Sequence, residues 1–81
     1  MVGYFMDEVM RHNMKDDCWI VIDDKVYDIT DFIPVHPGGQ NLICTVAGKD
    51  ASDFFHQLHH PMILDIFGVD YCIGTVTKPS L

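Results

Sequence analysis

Hydrophobic residues run unbroken from Cys18 to Ile22, whereas from Lys25 to Ile29 they alternate with polar ones. Asp23-Asp24 separates the two stretches. A continuous β-rich run predicts a buried strand, and an alternating one predicts its half-buried return strand. Two polar residues between them predict the turn of a hairpin. Upstream, Met6, Val9 and Met10 lie on one side of a short predicted helix over Asp7 to His12. Thr30 stands where it would cap a single turn through Ile33, ended by Pro34.

Beyond Pro34 the period becomes helical. Gln40 to Val46 is the first helix of this half, stopped by Gly48. Asp50 is placed to cap the second, with Asp53 three residues on as in a capping box. Pro61 suits the first position of a third helix, Met62 to Phe67, which ends at Gly68. Tyr71 to Val76 alternates and predicts a last strand. No repeat, linker or low-complexity segment interrupts this order. Residues 1–81 therefore form a single α+β domain, with a small mixed β-sheet beneath and two helix pairs forming a cleft above it.

Composition narrows what such a domain does. A chain of 81 residues buries only roughly 60–65% of its unfolded surface. Domains this small usually need a staple, whether disulfide, metal or cofactor. Cys18, Cys44 and Cys72 are odd in number, widely spaced and flanked by apolar residues. They read as three reduced, buried thiols of a cytosolic protein. Twelve acidic residues against five basic ones give a net charge of −7. That disfavours nucleic acid and anionic membrane surfaces as partners, and favours a basic protein. Neither a signal segment nor a membrane span is visible. The expectation is a soluble, cytoplasmic monomer.

The chemistry gathers around two histidines. His36 lies in Phe32-Ile33-Pro34-Val35-His36-Pro37-Gly38-Gly39. Pro37 biases His36 toward extended backbone, so it ends a segment rather than sitting inside a helix. Gly38 and Gly39 let the backbone pass close to a bulky, flat object. The apolar run that follows, Leu42 to Val46, offers a wall for a pocket. Twenty-four positions after His36 comes His60, at the end of Ala51-Ser52-Asp53-Phe54-Phe55-His56-Gln57-Leu58-His59-His60.

These residues resemble the cytochrome b5 haem-binding domain. His36-Pro37-Gly38-Gly39, then Ala47 to Phe55, then His60 match its pattern, and so do Cys18-Trp19, Lys25 to Thr30 and Tyr71 to Gly74. The likeness covers nearly the whole chain. It implies a cytochrome b5-like fold and a non-covalently bound haem b (iron protoporphyrin IX), with His36 and His60 as the two axial ligands. It also places Pro37, Gly38, Gly39 and His59 beside the cofactor. Ile22, Phe32, Leu42, Ile43, Val46, Phe54, Phe55, Leu58, Leu64, Phe67 and Tyr71 become pocket walls, although spacing alone also fits ordinary core. The backbone carbonyls of Gly39 and Phe55 would accept from the ligand imidazoles. Covalent c-type attachment is excluded, because no Cys-x-x-Cys-His is present.

Function follows from filled axial positions. With both taken by imidazole, no open iron site remains for oxygen or substrate, which implies outer-sphere electron transfer. The resemblance implies a flavin-dependent cytochrome b5 reductase as donor. Its acceptors would be redox enzymes such as desaturases, hydroxylases or cytochromes P450. The domain is then an electron carrier and not an enzyme. Many relatives continue into a C-terminal membrane anchor, whereas this sequence stops at Lys78-Pro79-Ser80-Leu81, so either a free soluble form or a trimmed chain is expected.

The sequence departs from the family in four places. Phe5 stands where Ser or Thr usually caps the first helix, so a frayed start is expected. His59 replaces the Gly that usually precedes the ligand. On a helix it would be turned about 100° from His60, either over a haem edge or out on the surface. Pro61 replaces a Ser that bonds a haem propionate, and Pro offers neither hydroxyl nor N–H. The family's acidic rim is diluted to Gln40, Asn41, Thr45 and Gln57, with Asp53 retained.

Two other readings compete. One is a haem- or small-ligand-binding module with no carrier role. Such relatives tend to lose the paired histidines, which are both present here. The other is a zinc site from His36, His56, His59 and His60, since His56 has helical spacing to His59 and His60. It would leave the apolar walls without a purpose.

Overall fold

The two-residue turn Asp23-Asp24 holds the centre of the sheet together. Both residues adopt positive φ, 52° and 65°, the backbone of a tight hairpin whose twist matches that of its strands. Asp tolerates this conformation better than most side chains. The turn joins β3 (Asp17–Ile22) to β4 (Lys25–Asp28), with Val21 opposite Val26 and Ile22 opposite Lys25. The computed structural model describes residues 2–35, 40–66 and 68–79, with every side chain except those of Gln40 and Leu42.

Around this hairpin the described residues form a five-stranded mixed sheet, in the order β1-β5-β4-β3-β2. β5 (Cys72–Val76) runs antiparallel to β4. β1 (Gly3–Tyr4) is parallel to β5, and β2 (Asn13–Met14) is antiparallel to β3. The sequence pattern did not predict β1 or β2, because two residues carry no readable period. Between them α1 (Met6–Val9) begins at Phe5, which makes no side-chain cap, as expected.

The unbroken apolar run of β3 is buried on both faces, and successive side chains serve different cores. Val21, with Val9 and Val26, packs against Tyr4, Met6, Trp19, Ile73 and Val76. Cys18 and Ile22 face the other way, with Tyr27, Ile29, Ile33, Ile43, Ala47 and Ala51. The second cluster is the floor beneath the helices.

Three helices stand over that floor: α2 (Gln40–Val46), α3 (Ser52–Leu58) and α4 (Met62–Ile66). Short 3-10 turns at Ile33–Val35 and Gly68–Asp70 complete the layer. The first 3-10 turn packs with α2, and α4 packs with the second 3-10 turn rather than pairing closely with α3. The link from α2 to α3 lies along β3. Trp19 O accepts from Gly48 N at 2.6 Å, Lys49 O from Val21 N at 3.0 Å, and Val21 O from Ala51 N at 2.7 Å. This stretch covers the edge of β3 beyond the end of β2, so those backbone groups are paired. Gly48 makes it possible with φ of 73°. A Cβ there would lie 2.9 Å from Asn13 Cβ and 3.2 Å from Met10 O.

Two capping expectations are not met. The N-cap of α3 is Ala51, with no side-chain cap, so the expected Asp50 capping box does not form; one residue earlier, the Asp50 carboxylate still accepts from Ser52 N at 2.9 Å and Ser52 Oγ at 2.6 Å. Thr30 caps nothing. Its hydroxyl donates to Asp28 at 2.7 Å and accepts from Cys18 N at 2.9 Å. Thr30 therefore ties the exit of β4 to the start of β3. The turn after it is closed by Ile29 O, which accepts from Phe32 N and Ile33 N.

Candidate functional site: an apolar cleft lined by an imidazole

Between the sheet floor and the helices lies a cavity of about 600 Å3, a size typical of cofactor sites. Ile20, Ile22, Tyr27, Ile29 and Tyr71 form its floor. Phe32, Val35, Ile43 and Val46 line one side. Ala51, Phe54, Phe55, Leu58, His59, Ile63, Leu64 and Gly68 line the other. Phe32 and Tyr71 meet edge to face, ring centres 5.2 Å apart. Among the described lining residues no side chain carries a formal charge at neutral pH beyond what His59 can hold. The other polar side-chain atoms are the hydroxyls of Tyr27 and Tyr71. Burial first, and nearby acidic groups next, raise the Tyr27 phenol above its ordinary range, so it stays neutral.

The predicted site residues fall into three groups. Ile22, Phe32, Ile43, Val46, Phe54, Phe55, Leu58, His59, Leu64 and Tyr71 line the cavity. His36, Pro37, Gly38, Gly39, Phe67 and the side chain of Leu42 lie outside the described residues. His60 is described and is exposed, and it is not among the cavity-lining residues. Its Nδ1 accepts from Met62 N at 3.1 Å. The Phe55 carbonyl, expected to receive the His60 imidazole, accepts from His59 N at 2.9 Å instead.

Seven lining residues were not predicted: Ile20, Tyr27, Ile29, Val35, Ala51, Ile63 and Gly68. The signal for three of them was present in the sequence. Ile20 shares a strand face with Ile22, and Tyr27 and Ile29 share one with each other, by the two-residue period. Gly68 shows no such signal. It matters because a Cβ there would sit 3.1 Å from the Tyr27 ring.

A flat, largely apolar group with a metal at its centre fits this lining. The walls are aliphatic and aromatic, and an imidazole is a suitable ligand for iron. The zinc alternative fits poorly. His56 Nε2 lies at 2.9 and 2.8 Å from the two Asp23 carboxylate oxygens, so it is directed to the hairpin turn. Among the described residues no group of three or more His, Cys, Asp or Glu side chains is arranged to hold a metal ion.

The thiols are all free, but not all buried as expected. Cys18 is fully buried, Cys72 is half-buried and donates to Gly74 O at 3.6 Å, and Cys44 is exposed. Burial pushes the Cys18 thiol up to about 11. Cys44 sits on the outer side of α2, which sequence flanked by apolar residues did not reveal.

A sequence model described as the Cytochrome b5-like Heme/Steroid binding domain matches residues 5–77. The chain belongs to this family. Its cofactor is haem b, held non-covalently. The cytochrome b5 of Ostreococcus tauri virus 2 superposes with a TM-score of 0.85 at 43% identity, over 91% of this chain and 95% of that one. Cytochrome B5 isoform C of Arabidopsis thaliana is 43% identical over 74 residues, 91% of this chain and 56% of that protein. Acyl-lipid (8-3)-desaturase B of Dictyostelium discoideum is 49% identical over 59 residues, 73% of this chain. The chain spans 12% of the desaturase and little more than half of the Arabidopsis protein. Among the described residues of this cytochrome b5 domain, no helix is long and apolar enough to cross a membrane.

Proposed function

We propose that this domain is a one-electron carrier between a flavin-dependent cytochrome b5 reductase and acceptor redox enzymes, acting as a monomer in the cytoplasm. Haem b supplies the one-electron couple. The residues of the chain hold it, orient it and keep water from its faces. His36 and His60 are the residues that would hold its iron, as the resemblance to the family implies. Desaturases belong among the acceptors, because a desaturase carries a domain similar to this one over 59 residues.

The observation that carries this reading is the cleft itself. It is wide, uncharged and aromatic-walled, with an imidazole lining it. Burying a flat macrocycle there removes apolar surface from water on both partners, which drives binding. Two imidazoles leave no free iron position, so electrons pass through the cofactor without substrate reaching the metal.

The visible spectrum of the purified protein tests this, taken oxidised, reduced, and reduced with carbon monoxide. A six-coordinate, low-spin haem b unaltered by carbon monoxide is the expected result. A high-spin spectrum, or a shift on adding carbon monoxide, would indicate an open iron position and replace the carrier with a ligand-binding module.

A further inference from the structure

α3 ends at Leu58, and the backbone straightens at His59, with φ −136° and ψ 146°. Successive side chains of an extended segment project to opposite sides. His59 and His60 therefore cannot both face the cavity. Expecting helix through this point, the sequence placed them about 100° apart. Here His59 is the one turned inward. Its ring lines the cavity and lies 4.9 Å from that of Phe55, inclined by 35°.

His60 faces out and caps α4. Its Nδ1 accepts the N–H of Met62, while its carbonyl accepts from Ile63 N at 3.0 Å. This is the geometry of an N-cap residue, with Pro61 at the first helical position. An Nδ1 that accepts from a backbone N–H leaves the proton of a neutral imidazole on Nε2. In that arrangement neither nitrogen offers a lone pair to iron. Bringing His60 into the cavity requires releasing the hydrogen bond from Met62 N.

Resting on the haem-carrier reading above, we propose that His59 is an alternative ligand to the haem iron, competing with His60. The pair provides two imidazoles on one extended segment, of which one at a time enters the cleft. Loss of either leaves the other able to fill the site.

The test uses haem-loaded protein and reads coordination from optical and electron paramagnetic resonance spectra. His60→Asn removes the second imidazole but keeps a residue that caps helices well, so α4 retains its start. His59→Leu removes the first while filling its space with an apolar side chain. Each single variant is expected to remain low-spin and unshifted by carbon monoxide. The double variant is expected to turn high-spin and to bind carbon monoxide when reduced. A His60→Asn protein that is high-spin, binds carbon monoxide or loses its haem overturns the proposal and leaves His60 as the one imidazole of the pair that serves the iron. A high-spin His59→Leu protein also overturns it, because His60 then fails as the exchange partner. A wild-type protein that is itself high-spin fails at the earlier step, the carrier reading.

Discussion

The imidazole of His12 lies flat on the indole of Trp19, with ring centres 3.6 Å apart and planes 7° from parallel. Both its nitrogens face carboxylates: Nδ1 is 2.6 Å from Asp17 and Nε2 is 3.0 Å from Glu8. Partial burial pulls the pKa of His12 down, but the hydrogen bonds to Asp17 and then Glu8 outweigh it, and the net shift is upward. A histidine whose pKa is raised on folding stabilises the fold fully below its unfolded value, near about 6.5. That contribution is lost as pH rises through the folded value. Wild type should therefore exceed Asp17→Asn in stability by about 0.2–1 kcal/mol on the acidic side, provided the other carboxylates stay ionised. The gap should close above neutrality. Urea midpoints measured across pH check this, and a gap that widens toward alkaline pH would contradict it.

Gly48→Ala should destabilise the domain by about 1–3 kcal/mol. The substitution puts a side chain on a positive-φ backbone and against Asn13 and Met10. It loosens the stretch that covers β3, so its effect should reach the cavity as well as the sheet. Chemical denaturation gives the magnitude, and haem retention reports on the cavity.

Alkylation of the native protein should discriminate among the three thiols. Cys44 is exposed and should be modified first. Cys18 is fully buried with its thiol held near 11, so it should react only on unfolding. Mass spectrometry of iodoacetamide-treated protein reads the order directly. Rapid labelling of Cys18 would mean that the floor of the cavity opens in the native state.

Removing haem should loosen the helices over residues 40–66 more than β3 and β4. Those helices share the cofactor as a packing surface, whereas the central strands are held by their own ladder and by the Val9, Val21 and Val26 cluster. Free haem at a hundred times its dissociation constant would add about 2.7 kcal/mol to global stability. Hydrogen exchange of apo and holo protein compares the two regions. Equal loss of protection in both would show that the domain opens as one unit.

His56 joins α3 to the hairpin turn through Asp23, and Ser52 Oγ accepts from Asp23 N at 2.9 Å on the same helix face. Nothing in the local sequence links positions 23 and 56. The same holds for the placement of Gly48 to Ala51 along β3, for the parallel pairing of β1 with β5, and for the outward position of Cys44. Each depends on which distant segments meet, and residue periodicity records only which face of an element is apolar.

What the sequence alone determined is the set of elements and their faces. Unbroken and alternating runs located the central hairpin, and helical spacing located α2, α3 and α4. The motif around His36 and the spacing to His60 identified the family, and with it the cofactor. The tertiary structure decided how the elements pair and which side chains they present to the cleft. At His59 the decision turned on one pair of dihedral angles. The helical period extended through Leu58 assumed a turn of about 100° per residue, but the chain leaves the helix there and alternates by half a turn instead. A hydrogen bond from Met62 N then holds His60 outside. Local pattern carries the period of an element, but the point where that period ends is set by backbone hydrogen bonds and packing.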